Sequence, residues 1–213
     1  TLTDVSALGQ VDGLSLTGCE AVVAVSALGA VRKLNLTGCT GVVDVSALGQ
    51  VEELDLSRCV GVRDVSALGT VSKLNLTACS AAVDVSALGG VQELNLEECD
   101  RVRDVSALDT VKKLLLTYCL RVTDVSALGG VQELSLVRCH QVVDLSALGQ
   151  ERKLNLTVDC TGITDVSALG GAKELTLCLC KEVTDVCMLI GAVEVLDLSH
   201  SRGVVDVSAL GKV

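Results

Sequence analysis

Val31-Arg32-Lys33-Leu34-Asn35-Leu36-Thr37-Gly38-Cys39-Thr40-Gly41-Val42-Val43-Asp44-Val45-Ser46-Ala47-Leu48-Gly49-Gln50 decides the fold, because the chain repeats it. From Val11 onward the sequence aligns on itself every 20 residues as V-x-x-L-x-L-x-x-C-x-x-V-x-D-V-S-A-L-G-x. A partial copy at 1–10 precedes ten copies over 11–212, which begin at Val11, Val31, Val51, Val71, Val91, Val111, Val131, Glu151, Ala172 and Val193. Copies eight and nine each hold one extra residue: Val158 or Asp159 in the first, Ile190 in the second. Residues 1–213 therefore read as a single repeat domain.

Each column has a physical reading. In Leu34-Asn35-Leu36 the alternation marks a short strand with both leucines inward and Asn35 outward. Asp44 precedes Val-Ser-Ala-Leu, where its carboxylate caps the free N–H groups of one helical or 3-10 turn. Gly49 is expected to leave that turn at positive φ, and Asp109 replaces it in one copy as a residue that tolerates the same region. Val45, Ala47 and Leu48 are expected to form the back of the core. One copy buries too little apolar surface to offset the entropy of ordering it, so the copies fold only as a stacked array.

A period of about 20–29 residues carrying L-x-x-L-x-L-x-x-[N/C] resembles the leucine-rich-repeat superfamily, here over the whole chain. The C-x-x-V-x-D segment is similar to the cysteine-containing subtype. The D-V-S-A-L segment is similar to the short I-T-D-I-S-P-L half of bacterial internalins, so the pattern is a hybrid. The resemblance implies an α/β solenoid with one short parallel strand and one helical or 3-10 turn per copy. It also implies a single parallel sheet on the concave face and a partner protein bound there.

Composition narrows the function classes. The chain has no Phe, Trp or Pro and one tyrosine, Tyr118, so its core is built from Leu, Val, Ala and Cys. A formal net charge of −10 disfavours a nucleic-acid partner, which would require a basic face. No apolar run reaches the ~20 residues of a membrane span. The sequence begins with Thr1, in mid-repeat, and neither end has the polar face of a cap, so a fragment that associates end to end is expected.

Nine of the 11 cysteines share one column: Cys19, Cys39, Cys59, Cys79, Cys99, Cys119, Cys139, Cys160 and Cys180. Stacked one strand spacing apart, about 4.8 Å, and pointing the same way, they suit buried thiols that donate to turn carbonyls. Disulfides would need them turned towards one another. Free thiols favour a reducing, cytoplasmic compartment. The sequons at Asn35, Asn75 and Asn155 fit that reading, because glycans there would block the strand face. Cys178, Cys187 and His200 depart from the pattern, but their directions diverge, so no metal or other cofactor is expected.

Nothing supports catalysis. The two histidines, His140 and His200, lie three copies apart, about 15 Å at one strand spacing per copy. The serines recur beside Asp in a capping column, and the chain carries no phosphate-binding glycine motif.

Function is therefore sought on outward positions, where copies differ. One outward column alternates in sign from Lys33 through Glu53, Lys73, Glu93, Lys113, Glu133 and Lys153 to Glu174, which favours correct stacking. Most other outward residues are small and polar. The exceptions are Glu97, Glu98, Leu115, Tyr118, Leu120, Val137, Arg138 and His140, with Arg58 two copies earlier. Tyr, Arg and an outward Leu are interface residues, so this cluster is the expected partner-binding patch. The alternatives are a scaffold array within a larger, possibly surface, protein and a regulatory subunit of an enzyme. Glu151, in a column otherwise Val or Ala, marks a local distortion or a recognition bump.

Overall fold

The structure is a computed structural model that describes residues 2–150, 154–159, 161–189 and 193–204. Among these, ten strands form one parallel sheet in chain order: β1 (Gly13–Ser15), β2 (Lys33–Asn35), β3 (Glu53–Asp55), β4 (Lys73–Asn75), β5 (Glu93–Asn95), β6 (Lys113–Leu115), β7 (Glu133–Val137), β8 (Asn155–Asp159), β9 (Glu174–Leu177) and β10 (Val195–Asp197). A 3-10 turn stands between strands on the opposite side, from Ser6–Leu8 to Cys187–Leu189. The chain is thus a coil of strand and turn, one circuit per copy.

The core is the stack of inward columns. In the second copy these are Val31, Leu34, Leu36, Cys39, Val42, Val45 and Leu48, each at most 2% exposed. Ala47 is exposed and does not join them. With three residues per 3-10 turn, Val45, Leu48 and Val51 share the inward face and Ala47 falls off it.

Asp44 caps as expected: its Oδ1 accepts the Ser46 N–H at 2.9 Å, and the same bond recurs from Asp4 to Asp185. The expectation for Gly49 is overturned, since its φ is −63° and that of Asp109 is −62°. The glycine answers crowding instead. A Cβ at Gly49 would lie 2.3 Å from the Ala67 carbonyl oxygen of the next copy, and Gly29 and Gly69 face the same obstruction.

Register is 20 residues per copy from β1 to β7. At β8 it changes. Leu134 stands opposite Leu156, not Leu154, and Asn155 stands opposite Glu133 and Glu174. The expected extra residue at Val158 or Asp159 is thereby corrected: both belong to β8, which is offset by 22 residues from β7 and by 19 from β9. Glu151, Arg152, Lys153, Cys160, Ile190 and Val213 lie outside the described residues.

Candidate functional site: the strand face

The outward central column runs Ser15, Asn35, Asp55, Asn75, Asn95, Leu115, Ser135. Its Asn and Asp side chains serve the backbone. Asn35 Oδ1 accepts the Thr37 N–H at 2.8 Å, and Asp55, Asn75 and Asn95 do the same for Ser57, Thr77 and Glu97. In a longer parallel strand the Thr37 N–H would donate to the Leu16 carbonyl. With that amide turned to Asn35, the Leu16 carbonyl, which accepts the Cys19 N–H at 2.9 Å, takes the Cys39 thiol as its second donor at 3.1 Å. One amide and one thiol per copy thus satisfy the groups that a three-residue strand leaves open.

The thiol bonds run from each copy to the carbonyl of the copy before. Cys59, Cys79, Cys99, Cys119 and Cys139 donate to Leu36, Leu56, Leu76, Leu96 and Leu116 at 2.9–3.1 Å. Burial pushes Cys59, Cys79 and Cys99 up to about 12, so these thiols stay protonated. Cys19, Cys39, Cys59, Cys79, Cys99, Cys119 and Cys178 are free thiols.

The charged column pairs in twos rather than as an unbroken row. Lys33 meets Glu53 at 2.7 Å, Lys73 meets Glu93 at 2.7 Å and Lys113 meets Glu133 at 2.8 Å. Each lysine bonds the glutamate of the following copy, the arrangement a 40-residue doublet produces. At β8 the column is occupied by Asn155, whose Nδ2 donates to Glu174 at 3.3 Å, so the alternation of sign ends at Glu133. Beside it, Arg32 bridges Asp12 at 2.8 Å and Glu52 at 3.1 Å.

A third column was not legible as such from the repeat pattern. The residue before each cysteine takes positive φ: Gly18 and Gly38 at 73° and 72°, then Arg58, Ala78, Glu98, Tyr118 and Arg138 at 58–63°. The turn closed by the Cys39 N–H donating to the Leu36 carbonyl requires this of its third residue, as in a type II turn. Glycine meets the requirement without strain, whereas a side chain there is strained by about 1–2 kcal/mol. The two glycines in the first copies were the available signal.

The eight expected site residues divide among neighbouring columns. Leu115 lies in the central column, facing an open groove of about 640 Å³ that runs over β1 to β6. Glu97 and Val137 follow at the strand ends, and Glu98, Tyr118 and Arg138 occupy the positive-φ column on successive copies. Leu120 and His140 stand beyond the cysteines on the rim. Tyr118 and Leu120 are 46% and 44% exposed. Arg138 is engaged: its Nε meets Asp159 at 3.1 Å, and Asp159 is itself buried. The groove also takes in Asn35, Asp55, Asn75 and Asn95, which the sequence ranked as weak anchors. Cys178 and Cys187 are half-buried, and among the described residues no three His, Cys, Asp or Glu side chains gather in a metal-binding geometry.

No family model matches the sequence, and neither does any curated protein. Solved structures do match. An internalin (inlF) from Listeria monocytogenes is 23% identical, with a TM-score of 0.69, over 89% of this chain and 61% of that one. The functional domain of InlJ from the same organism, which includes a cysteine ladder, is 18% identical, with a TM-score of 0.52, over 96% of this chain and 50% of that one. Internalin C2, also from Listeria monocytogenes, is 23% identical, with a TM-score of 0.54, over 87% and 78%. The chain thus spans about three fifths of the inlF structure and half of the InlJ domain. With a 20-residue circuit, a single parallel sheet and a column of buried thiols, this chain has the leucine-rich-repeat fold in a cysteine-ladder form.

Proposed function

We propose that the chain is a protein-interaction module, not an enzyme, and that it holds a partner protein on the strand face around Tyr118. The observation that carries this reading is Tyr118 itself. It stands half-exposed at φ 61°, where glycine would be strain-free, and Leu120 and Leu115 flank it on the rim and in the groove. A large aromatic left half-exposed beside outward leucines is what a binding anchor looks like. Glu98 and Arg138 stand on either side in the same column, and Glu97, Val137 and His140 complete the surface. The named internalins support a fold suited to this role and add nothing about the partner. The test is capture of interacting proteins by the wild type and by a Tyr118→Ala/Leu115→Ala variant. A partner lost only with the variant supports the patch.

A scaffold array is the second reading, favoured by the uniform register of β1 to β7. For compartment we infer a reducing one. The support is the run of free thiols from Cys39 to Cys119 and the use of the Asn35 and Asn75 side chains as turn caps, which a glycan would disrupt.

A further inference from the structure

Copy eight contains three apolar residues at alternate positions, Leu154, Leu156 and Val158, and all three are buried. A strand needs only two of them to face Leu134 and Leu136. Because side chains alternate with a period of two, a slip by two residues keeps the inward face inward. The segment therefore fits β7 in two registers. In the one the structure shows, Leu156 and Val158 are opposite Leu134 and Leu136. In the other, Leu154 and Leu156 take those places, which is the 20-residue spacing that every earlier copy uses.

Three features of the observed register show what it gives up. Asn155-Leu156-Thr157 repeats Asn35-Leu36-Thr37 and Asn75-Leu76-Thr77, where the Asn Oδ1 accepts the Thr N–H at 2.8 and 3.0 Å. Here Asn155 is displaced one column, and its Oδ1 is buried with no hydrogen-bond partner. The Cys180 thiol reaches the Val158 carbonyl at 3.7 Å, where its counterparts sit at 2.9–3.1 Å. Asp159 is drawn into a nearly buried position.

One contact favours the observed register. The Asp159 carboxylate meets Arg138 at 3.1 Å, and the Asp159 carbonyl accepts the Arg138 N–H at 3.1 Å. Slipping β8 back by two residues breaks both, restores the cap of Asn155 and moves Val158 and Asp159 past the strand end. We propose that copy eight is a two-register strand in which Leu154-Asn155-Leu156-Thr157-Val158 slides by two residues against β7, with the Arg138–Asp159 pair holding the observed register. The slip would also decide whether Arg138 is neutralised or free on the strand face. It needs only local opening, which places it on the microsecond-to-second scale.

Nuclear magnetic resonance on the full chain tests this, through interstrand backbone contacts of Ser135. These run to Thr157 in the observed register and to Asn155 in the other. The wild type is expected to show a major Ser135–Thr157 set in exchange with a minor Ser135–Asn155 set. Asp159→Asn should raise the minor population several-fold. Val158→Asp, which cannot bury its carboxylate, should move the strand wholly to the Ser135–Asn155 set with β7 to β9 still paired. A single unexchanging set in both the wild type and Asp159→Asn would overturn the proposal. So would loss of β7–β9 pairing in Val158→Asp, or a wild type wholly in the Ser135–Asn155 register.

Discussion

The thiol of Cys119 donates to the main-chain carbonyl of Leu96 at 3.0 Å, across the joint between two copies. The bond turns a surplus strand-end acceptor into a link between neighbours, and it repeats down the column. Cys119→Ala removes this donor, leaves the Leu96 carbonyl with the Cys99 N–H alone at 3.0 Å and opens a small gap in the core, which together cost about 1 kcal/mol. Cys119→Ser keeps a donor, and copy ten already uses one: the Ser201 hydroxyl donates to the Leu177 carbonyl. Urea denaturation should place the midpoint of the Ala variant well below that of the Ser variant. Equal midpoints would mean that the thiol serves by bulk alone.

The same thiols predict alkaline behaviour. Their folded values are raised by burial, up to about 12 for Cys59, Cys79 and Cys99. An acid whose folded value is raised stabilises the fold fully below its unfolded value and loses that contribution as pH climbs towards the folded one. Stability should therefore decline from about pH 9 towards pH 12. In the native state at pH 8, thiol reagents should modify half-buried Cys178 and Cys19 long before Cys99. Uniform labelling of all the cysteines would contradict the buried column.

Acid acts on the other side of the solenoid. Asp44, Asp64, Asp84, Asp104 and Asp124 are held below the ordinary carboxylate value by hydrogen bonds from Ser46, Ser66, Ser86, Ser106 and Ser126. A depressed value contributes stability above the unfolded value that is lost as pH falls through the folded one. Denaturation midpoints should drop below about pH 4. Asp84→Asn keeps the accepting oxygen and should blunt one increment of that drop, whereas Asp84→Ala should destabilise at every pH.

Two glycine columns separate by mechanism. Gly49→Ala would place a Cβ 2.3 Å from the Ala67 carbonyl oxygen, a clash with backbone that should cost about 2–3 kcal/mol, moderated because Asp109 shows that the column can accommodate a Cβ at the same φ. Gly38→Ala meets only ordinary contacts at φ 72° and should cost about 1 kcal/mol. Thermal unfolding of the two variants checks the order, and a milder effect at Gly49 would reverse it.

Much of this was legible in the sequence because the period carries it. The inward columns, the Asp44 cap and the thiol bonds all follow from Leu34, Leu36, Cys39 and Asp44 recurring at fixed spacing. Gly49 was misread because a glycine signals either positive φ or crowding, and only the neighbouring copy shows which. The positive-φ column was missed because Arg58, Glu98 and Tyr118 occupy it, hiding the rule that Gly18 and Gly38 state. Copy eight escaped because Leu154, Leu156 and Val158 satisfy the same alternation in two registers. The scattered site residues could be named from their departure from the repeat, but their separation into groove, strained column and rim needed coordinates.

The binding reading rests on Tyr118, and Tyr118→Gly with Leu120→Ser tests it most directly. Glycine at φ 61° relieves strain, so the variant should unfold at an equal or higher temperature than the wild type, by about 1 kcal/mol in stability. The decisive measurement is quantitative capture of protein partners by the two folded forms side by side. The account predicts that a partner held by the wild type is lost from the variant although the variant is at least as stable. The same partners retained at the same yield would contradict it.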